Sequence, residues 1–356
     1  MAPVVHALAA RGGRPTIVLT GQHPQLRLED FGLAGFEVVR LGCPGEHDPH
    51  RHVRKVAAAL LPLLRRPPAM LVVHGDTSSA LGGALAGFVA SVPVAHVEAG
   101  LRTYDPRLPW PEEEFRIAID ARAELLFAPT DVAAANLRSE RVGGKIHVTG
   151  NTGVDALLAV EAKLPPPSLR ETGVRRILVT CHRRESWGTG LESIGAALIE
   201  LAADRSVQID VILHPNPHVA ESMRKQLAGC LGISLLEPTT HEALVRRVRD
   251  CDLVLSDSGG IQEEAPTLGT PILVLREKTE RPEAIASGNA RLVGTNAEDI
   301  VAEARRLLSD PVEWAAMARK SYLFGDGHAA SRIAAAIGQW IDNSVNLGQP
   351  RILGTA

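Results

Sequence analysis

The stretch Leu253-Val-Leu-Ser-Asp-Ser-Gly-Gly-Ile-Gln-Glu-Glu-Ala-Pro266 leaves a chain few ways to fold. Its short run of large apolar residues, with no polar alternation, predicts a strand buried on both faces, which belongs to a parallel sheet. The run breaks at Ser256-Asp257-Ser258-Gly259-Gly260, where two glycines permit a sharp turn and close approach to bare backbone. A helix follows, with Asp257 or Ser258 as its N-cap. Strand, glycine turn and helix start together form a geometry that takes a phosphate on free N–H groups and the positive end of a helix dipole. Ser258 adds a hydroxyl, and Glu264, one turn further on, is placed to accept from ribose hydroxyls. A lone Gly-Gly pair is more often just a well-capped turn, so the reading depends on what else gathers around it.

The rest of the chain repeats the alternation. Residues 3–11 predict a helix, Thr16–Thr20 a strand, and 43–52 a solvated Pro/His-rich loop whose prolines break any regular register. An amphipathic helix follows over 52–66. Strands are predicted at Met70–Val73, Pro93–Val97, Leu125–Ala128 and Ile146–Thr149, and then at Arg176–Thr180, Ile209–Leu213, Ser234–Leu236, Leu253–Leu255, Ile272–Leu275 and Arg291–Gly294, with helices between them. Strands alternating with helices predict α/β architecture with parallel, doubly wound sheets. At 356 residues the chain is too long for one ordinary core. The stiff Leu164-Pro-Pro-Pro-Ser168 linker divides it into an N-terminal Rossmann-like domain over 1–163 and a C-terminal one over 169–328, with 329–356 as a helix crossing back onto the first.

Composition removes several function classes. The net charge of −3 carries no basic block, and aromatics are 3% of residues, so nucleic acid is not an expected partner. No apolar run reaches the ~20 residues of a membrane span, and the N-terminus lacks a secretory signal. Four scattered cysteines without CxxC spacing indicate neither a zinc site nor a disulfide framework, and fit a reducing cytoplasm. No metal site is expected. There is no Gly-x-Gly-x-x-Gly with a distal acid, so no nicotinamide cofactor is expected, and no phosphate loop of the GxxxxGK[ST] kind.

The unusual polar residues fall just after the predicted strands, at the carboxyl ends where α/β domains bind ligands. They are Asp76, Glu98, His182, His214 with Asn216, Ser258 with Gly259 and Gly260, and the Thr279-Glu-Arg-Pro-Glu283 block. Any one is more simply a cap or loop residue. Six sets from both domains predict a cleft lined by acids on the first domain and phosphate-binding groups on the second. Crowded carboxylates suit proton transfer, because burial and mutual repulsion let acid and base forms coexist near neutrality.

Taken in order, nine blocks resemble the non-hydrolysing UDP-N-acetylglucosamine 2-epimerases, which share a GT-B-like two-domain fold with many glycosyltransferases. The blocks are Thr20-Gly-Gln-His, Val73-His-Gly-Asp-Thr77, Val97-Glu-Ala-Gly-Leu-Arg102, Pro109-Trp-Pro-Glu-Glu113, Thr149-Gly-Asn-Thr152, His182-Arg-Arg-Glu185, Ser256 to Glu264, Thr279 to Glu283 and Gly325-Asp-Gly327. The resemblance implies interconversion of UDP-GlcNAc and UDP-ManNAc, by loss of the C2 proton and anti elimination of UDP to a 2-acetamidoglucal, with no cofactor. It implies Asp76, Glu98 and Glu112 as acid/base groups and His182 at the departing diphosphate. Ser258, Gly259 and Gly260 would hold that diphosphate, Glu264 the ribose, His214 and Asn216 the uridine side, and Arg116 a phosphate or the sugar. It further implies a homodimer serving cell-envelope polysaccharide synthesis, and a second UDP-GlcNAc as activator at Gln22 and Gln25.

Departures qualify the match. The activator-binding arginine of the family falls in the divergent loop at 43–52, where Arg51 is a loose equivalent. Leu244 stands where the family carries an aromatic against uracil. The family opens with a strand and a Gly-Thr-Arg-Pro-Glu loop ahead of a Met-Ala-Pro helix, and Met1 stands at that internal methionine. The expectation is therefore a missing first strand and a missing diphosphate arginine, and a chain that is less stable and weakly active until upstream residues are restored. Three other readings compete. A glycosyltransferase on the same fold would need an acceptor. A hydrolysing relative would release free UDP. A nucleotide-sugar-binding protein without catalysis would not exchange the C2 proton.

Overall fold

A computed structural model describes residues 1–24, 26–167, 173–181, 188–214 and 216–346. By contacts the chain divides into a first unit of residues 1–156 and 324–356, and a second of residues 157–323.

In the first unit, strands β1 (Thr16–Leu19) and β2 (Glu37–Arg40) form a parallel pair. Strands β3 (Leu71–His74), β4 (Val94–Val97), β5 (Leu125–Ala128) and β6 (Lys145–Val148) form a parallel sheet in the order β3-β4-β5-β6. Every residue of β4 and β5 is buried, because helices cover both faces. On one face Ala95, Val97, Leu125 and Phe127 pack against Val4 of helix Ala2–Ala10 and against Ile333 and Ile337 of helix Ala329–Asn346. On the other, Val73 and Val94 pack against helix Ser78–Val89 and against Phe115 and Ile119 of helix Glu112–Asp120. The C-terminal helix is seated by Asp155, whose carboxylate accepts from the Ala329 and Ala330 N–H groups at 3.2 and 2.8 Å. A carboxylate there meets both unsatisfied N–H groups and the positive end of the helix dipole.

The second unit holds six parallel strands: β7 (Arg175–Thr180), β8 (Val207–Ile212), β9 (Ile233–Leu236), β10 (Leu253–Ser256), β11 (Ile272–Val274) and β12 (Ala290–Leu292). Their order is β12-β11-β10-β7-β8-β9. The chain winds outward from β7 through β9, then returns to lay β10 on the other side of β7. The β7/β10 boundary is therefore the topological switch point, where such folds bind ligands at the carboxyl ends of the strands. Thr180 and Ser256, the last residues of these two strands, share a hydroxyl–hydroxyl hydrogen bond of 2.7 Å.

Two local features differ from the sequence reading. The short Glu-Val-Val-Arg strand β2 has only two apolar residues between charges, and no periodic signal marks it. The loop over 43–52 is half helix: helix Pro49–Leu60 starts inside it, capped by Asp48, which accepts from His50 and Arg51 N–H at 2.9 and 3.2 Å. Proline disrupts a helix interior but not its first position, where its missing N–H costs nothing. His52 is therefore buried rather than solvated, with Nε2 3.0 Å from the Cys43 carbonyl and Nδ1 2.7 Å from Ser78 Oγ.

Candidate functional site

In the first unit the acids sit on adjacent strand ends. Asp76 follows β3, separated from it by Gly75 at φ 66°. A Cβ on Gly75 would come within 2.9 Å of Glu98 Oε2, so this glycine provides both the turn and the space for that carboxylate. Glu98 follows β4 and is itself left-handed, at φ 69°. A non-glycine residue there costs about 1–3 kcal/mol and persists only where its surroundings over-determine it. They do so here: Gly75 N–H bonds the Val97 carbonyl at 3.0 Å, and Ala99 N–H bonds the Phe127 carbonyl at 3.0 Å.

Each carboxylate has its own partner. Arg116, 2% exposed, donates from Nε to Asp76 Oδ2 at 3.1 Å, pairs with the same oxygen through Nη2, and donates from Nη1 to Glu113 Oε2 at 2.7 Å. Glu113 accepts in turn from the Thr103 and Tyr104 N–H groups, at 2.9 and 2.8 Å, which ties the loop after β4 to the helix. Glu112 opens that helix one turn before Arg116, so the two share a helix face. Glu98 accepts from Asn151 Nδ2 at 3.0 Å, and His74 Nε2 stands 3.7 Å from its other oxygen. Burial is the main cause that lowers the His74 pKa to about 4, so this ring is neutral at pH 7. Gln22 lies against the start of helix Ser78–Val89: its Oε1 accepts from Ser79 Oγ at 2.5 Å, and that hydroxyl also bonds Thr20 Oγ1 at 2.8 Å.

In the second unit Ser258 caps helix Gly259–Leu268, accepting from Ile261 N–H at 3.5 Å. Gly259 is not at a positive φ, so the turn does not require it. Its role is space: a Cβ would lie 2.6 Å from Nη1 of Arg281. At Gly260, by contrast, a Cβ would meet only Ser258 Oγ, at 3.9 Å, so this part of the helix start faces open space. Arg281 is buried and donates from Nε to Glu263 Oε1 at 2.6 Å; Glu280 contacts the same guanidinium, and Arg276 Nη1 is ion-paired with Glu280 Oε2 at 2.9 Å. Within the Thr279–Glu283 block, the sequence signal for Arg281 is its place after the carboxyl end of β11. Asn216 N–H donates to His214 Nδ1 at 2.9 Å, just past the end of β8.

Glu264 accepts from His241 Nε2 at 3.1 Å. That bond raises the His241 pKa above its ordinary value, against a smaller opposing effect of burial. A raised histidine pKa contributes stability that is fully present below the unfolded value near 6.5 and is lost as pH rises through the folded value. The variant His241→Gln is accordingly expected to melt below the parent at about pH 5.5, with the gap closing by about pH 8.5. A gap that widens with pH would refute the pairing.

The structure thus brings Asp76, Arg116, Glu98 and Glu112 to one end of the first sheet. It brings Ser258, Gly259, Gly260 and Glu264 to the switch-point end of the second, with His214 and Asn216. His182, the block it belongs to, and Gln25 lie outside the described residues. Among the described residues no cluster of histidine, cysteine or acid side chains forms a metal site, and no helix is long and apolar enough to cross a membrane.

Comparison with known proteins gives one answer. The profile of the family described as UDP-N-acetylglucosamine 2-epimerase matches residues 6–338. A UDP-N-acetylglucosamine 2-epimerase of Yersinia pestis is 42% identical over 357 residues, covering 95% of this chain and 94% of the relative. That of Escherichia coli (strain K12) is 40% identical over 355 residues, with the same coverage. The crystal structure of UDP-GlcNAc 2-epimerase from Neisseria meningitidis bound to UDP-GlcNAc superposes with a TM-score of 0.90 at 34% identity, covering 95% of this chain and 96% of that one.

Proposed function

Because this chain belongs to the UDP-N-acetylglucosamine 2-epimerase family, we propose that it is an isomerase that interconverts UDP-GlcNAc and UDP-ManNAc. A carboxylate of the first unit takes the C2 proton. The released electron pair forms the C1=C2 bond of a 2-acetamidoglucal, and the C1–O bond to UDP breaks. UDP then re-adds at C1 as a second acid returns a proton to the opposite face of C2. Asp76, Glu98 and Glu112 serve these transfers, and His182 assists at the diphosphate. The charge gathering on departing UDP is met by the start of helix Gly259–Leu268, with Ser258, Gly259, Gly260 and the Arg281 guanidinium. Glu264 holds the ribose, and His214 and Asn216 line the uridine side. A homodimer, with a second UDP-GlcNAc as activator beside Gln22, belongs to the same reading.

Family membership carries the reaction. The strand-adjacent pair of Asp76, bound to Arg116, and Glu98, bound to Asn151, carries the assignment of groups. Proton NMR of UDP-GlcNAc in D₂O tests it. The expected result is growth of UDP-ManNAc signals with deuterium entering C2 of both sugars. Accumulation of free UDP and ManNAc would instead mark a hydrolysing enzyme, and an unchanged spectrum would defeat the proposal.

A further inference from the structure

Beneath the carboxylates of the first unit lies a charged network for which the proposed reaction has no direct use. His96, in the middle of β4, is fully buried. Its Nε2 is 2.9 Å from the Gly75 carbonyl and its Nδ1 is 2.6 Å from Asp120 Oδ1. The other oxygen of Asp120 accepts from Gly100 N–H at 3.1 Å and pairs with Arg102 Nη2 at 2.8 Å. Arg102 also forks onto Glu140, at 2.7 Å on each arm.

The geometry decides the protonation. A carbonyl only accepts, so Nε2 must carry a proton. Asp120 Oδ2 faces a guanidinium and an N–H group, both of which stabilise a carboxylate, so Oδ1 accepts and Nδ1 carries a proton as well. Both ring nitrogens donate, and the ring is an imidazolium. Burial opposes that charge, but the Asp120 carboxylate and the Gly75 carbonyl outweigh it and hold the His96 pKa above its ordinary value. Burial likewise opposes the Asp120 charge, but His96 and the Arg102 guanidinium outweigh it and hold that carboxyl below the usual carboxylate range.

This cation bonds to the turn that precedes Asp76 and, through Asp120, to the turn that follows Glu98. We infer that His96 is a positioning residue: a buried, charged clamp that sets the spacing of Asp76 and Glu98 without touching substrate. The inference rests on the proposed epimerase reaction for its kinetic test, and on the hydrogen bonds alone for its structural one. Without the clamp, the Gly75 carbonyl loses its ring N–H donor and Asp120, which holds the Gly100 N–H just after the left-handed Glu98, loses its partner on the other oxygen. The charged and titratable groups packed around His96 are Asp120 and Glu98 with Arg102, Glu140 beyond them, and His74 on the neighbouring strand. Two carboxylates directly oppose its charge, while His74 is neutral at pH 7.

Two measurements test the clamp. In the parent protein with ¹⁵N-labelled histidine, both ring nitrogens of His96 are expected to be protonated at pH 7, where an ordinary histidine is mostly neutral. A neutral ring at pH 7 would overturn the inference, and this measurement needs neither a variant nor turnover. The second uses His96→Gln, whose amide can reach one partner but not both, and Asp120→Asn, which leaves the ring in place but removes the charge that holds it protonated. Each folded variant is expected to lose about 10–100-fold in kcat, with KM and UDP affinity within about 3-fold of the parent, as for a small misplacement of reacting groups. A folded His96→Gln protein with kcat within about 2-fold of the parent would overturn the positioning role. A parent that does not epimerise UDP-GlcNAc defeats the reaction proposal instead, and the nitrogen measurement then decides the clamp.

Discussion

Glutamine in place of Glu98 is expected to lower kcat for C2 epimerisation by about 10²–10⁴-fold, the usual contribution of a positioned acid or base. Glutamine keeps the shape and the hydrogen bond to Asn151, so the left-handed turn survives and the loss reports the proton-transfer group itself. UDP affinity is expected to stay within about 3-fold of the parent, because the groups proposed for UDP lie in the second unit. Asp76→Asn is a harder variant to interpret. It also removes the charge facing the buried Arg116, which keeps its bond to Glu113, so some of its loss is structural. Comparing the two separates chemistry from scaffolding. Glu98→Gln should melt near the parent, whereas Asp76→Asn should melt below it. A Glu98→Gln enzyme that retains full kcat would remove Glu98 from the reaction and leave Asp76 and Glu112 as the acids to test.

Much of the fold can be read directly from the sequence, because strands buried on both faces need uninterrupted apolar runs. Leu253–Leu255 and Leu125–Ala128 are such runs, and both are strands. Edge strands carry no such requirement, which is why Glu37–Arg40 leaves no signal. Pro49 misleads because a residue's type does not reveal its place in a helix. The Gly259-Gly260 pair predicts a sharp turn, yet the backbone of Gly259 is not at a positive φ and its constraint comes from Arg281, more than twenty positions away. His96 illustrates the same gap. Within Val-Ala-His-Val it reads as a polar interruption of a core strand, and only the fold brings Asp120 and the Gly75 carbonyl to its two nitrogens. Chemistry-bearing residues at strand ends are therefore legible one by one. Their partners, which determine charge and orientation, are joined by tertiary contacts that no local pattern encodes.

Arg281→Ala is expected to destabilise the protein by about 3–5 kcal/mol, the range for removing one member of a buried ion pair. Glu263, itself buried, loses its 2.6 Å contact with this guanidinium, and Glu280 loses its contact with the same group. The glycines beside it allow stability and ligand binding to be told apart. In Gly259→Ala the new methyl lies 2.6 Å from Arg281 Nη1, so the guanidinium must move, and that variant should reproduce part of the Arg281→Ala loss. In Gly260→Ala the methyl meets nothing closer than 3.9 Å, and alanine is a better helix former than glycine by up to about 1 kcal/mol, so the protein should melt at or above the parent. If the diphosphate approaches bare backbone at this helix start, Gly260→Ala must nevertheless weaken UDP, because its methyl occupies the space the phosphate oxygens need. The informative result is therefore opposite signs in one variant, with unfolding temperature unchanged or raised and UDP affinity lowered, as calorimetry on the same sample would show. Unchanged UDP affinity in Gly260→Ala would move the diphosphate away from this helix and leave Arg281 with a purely architectural role.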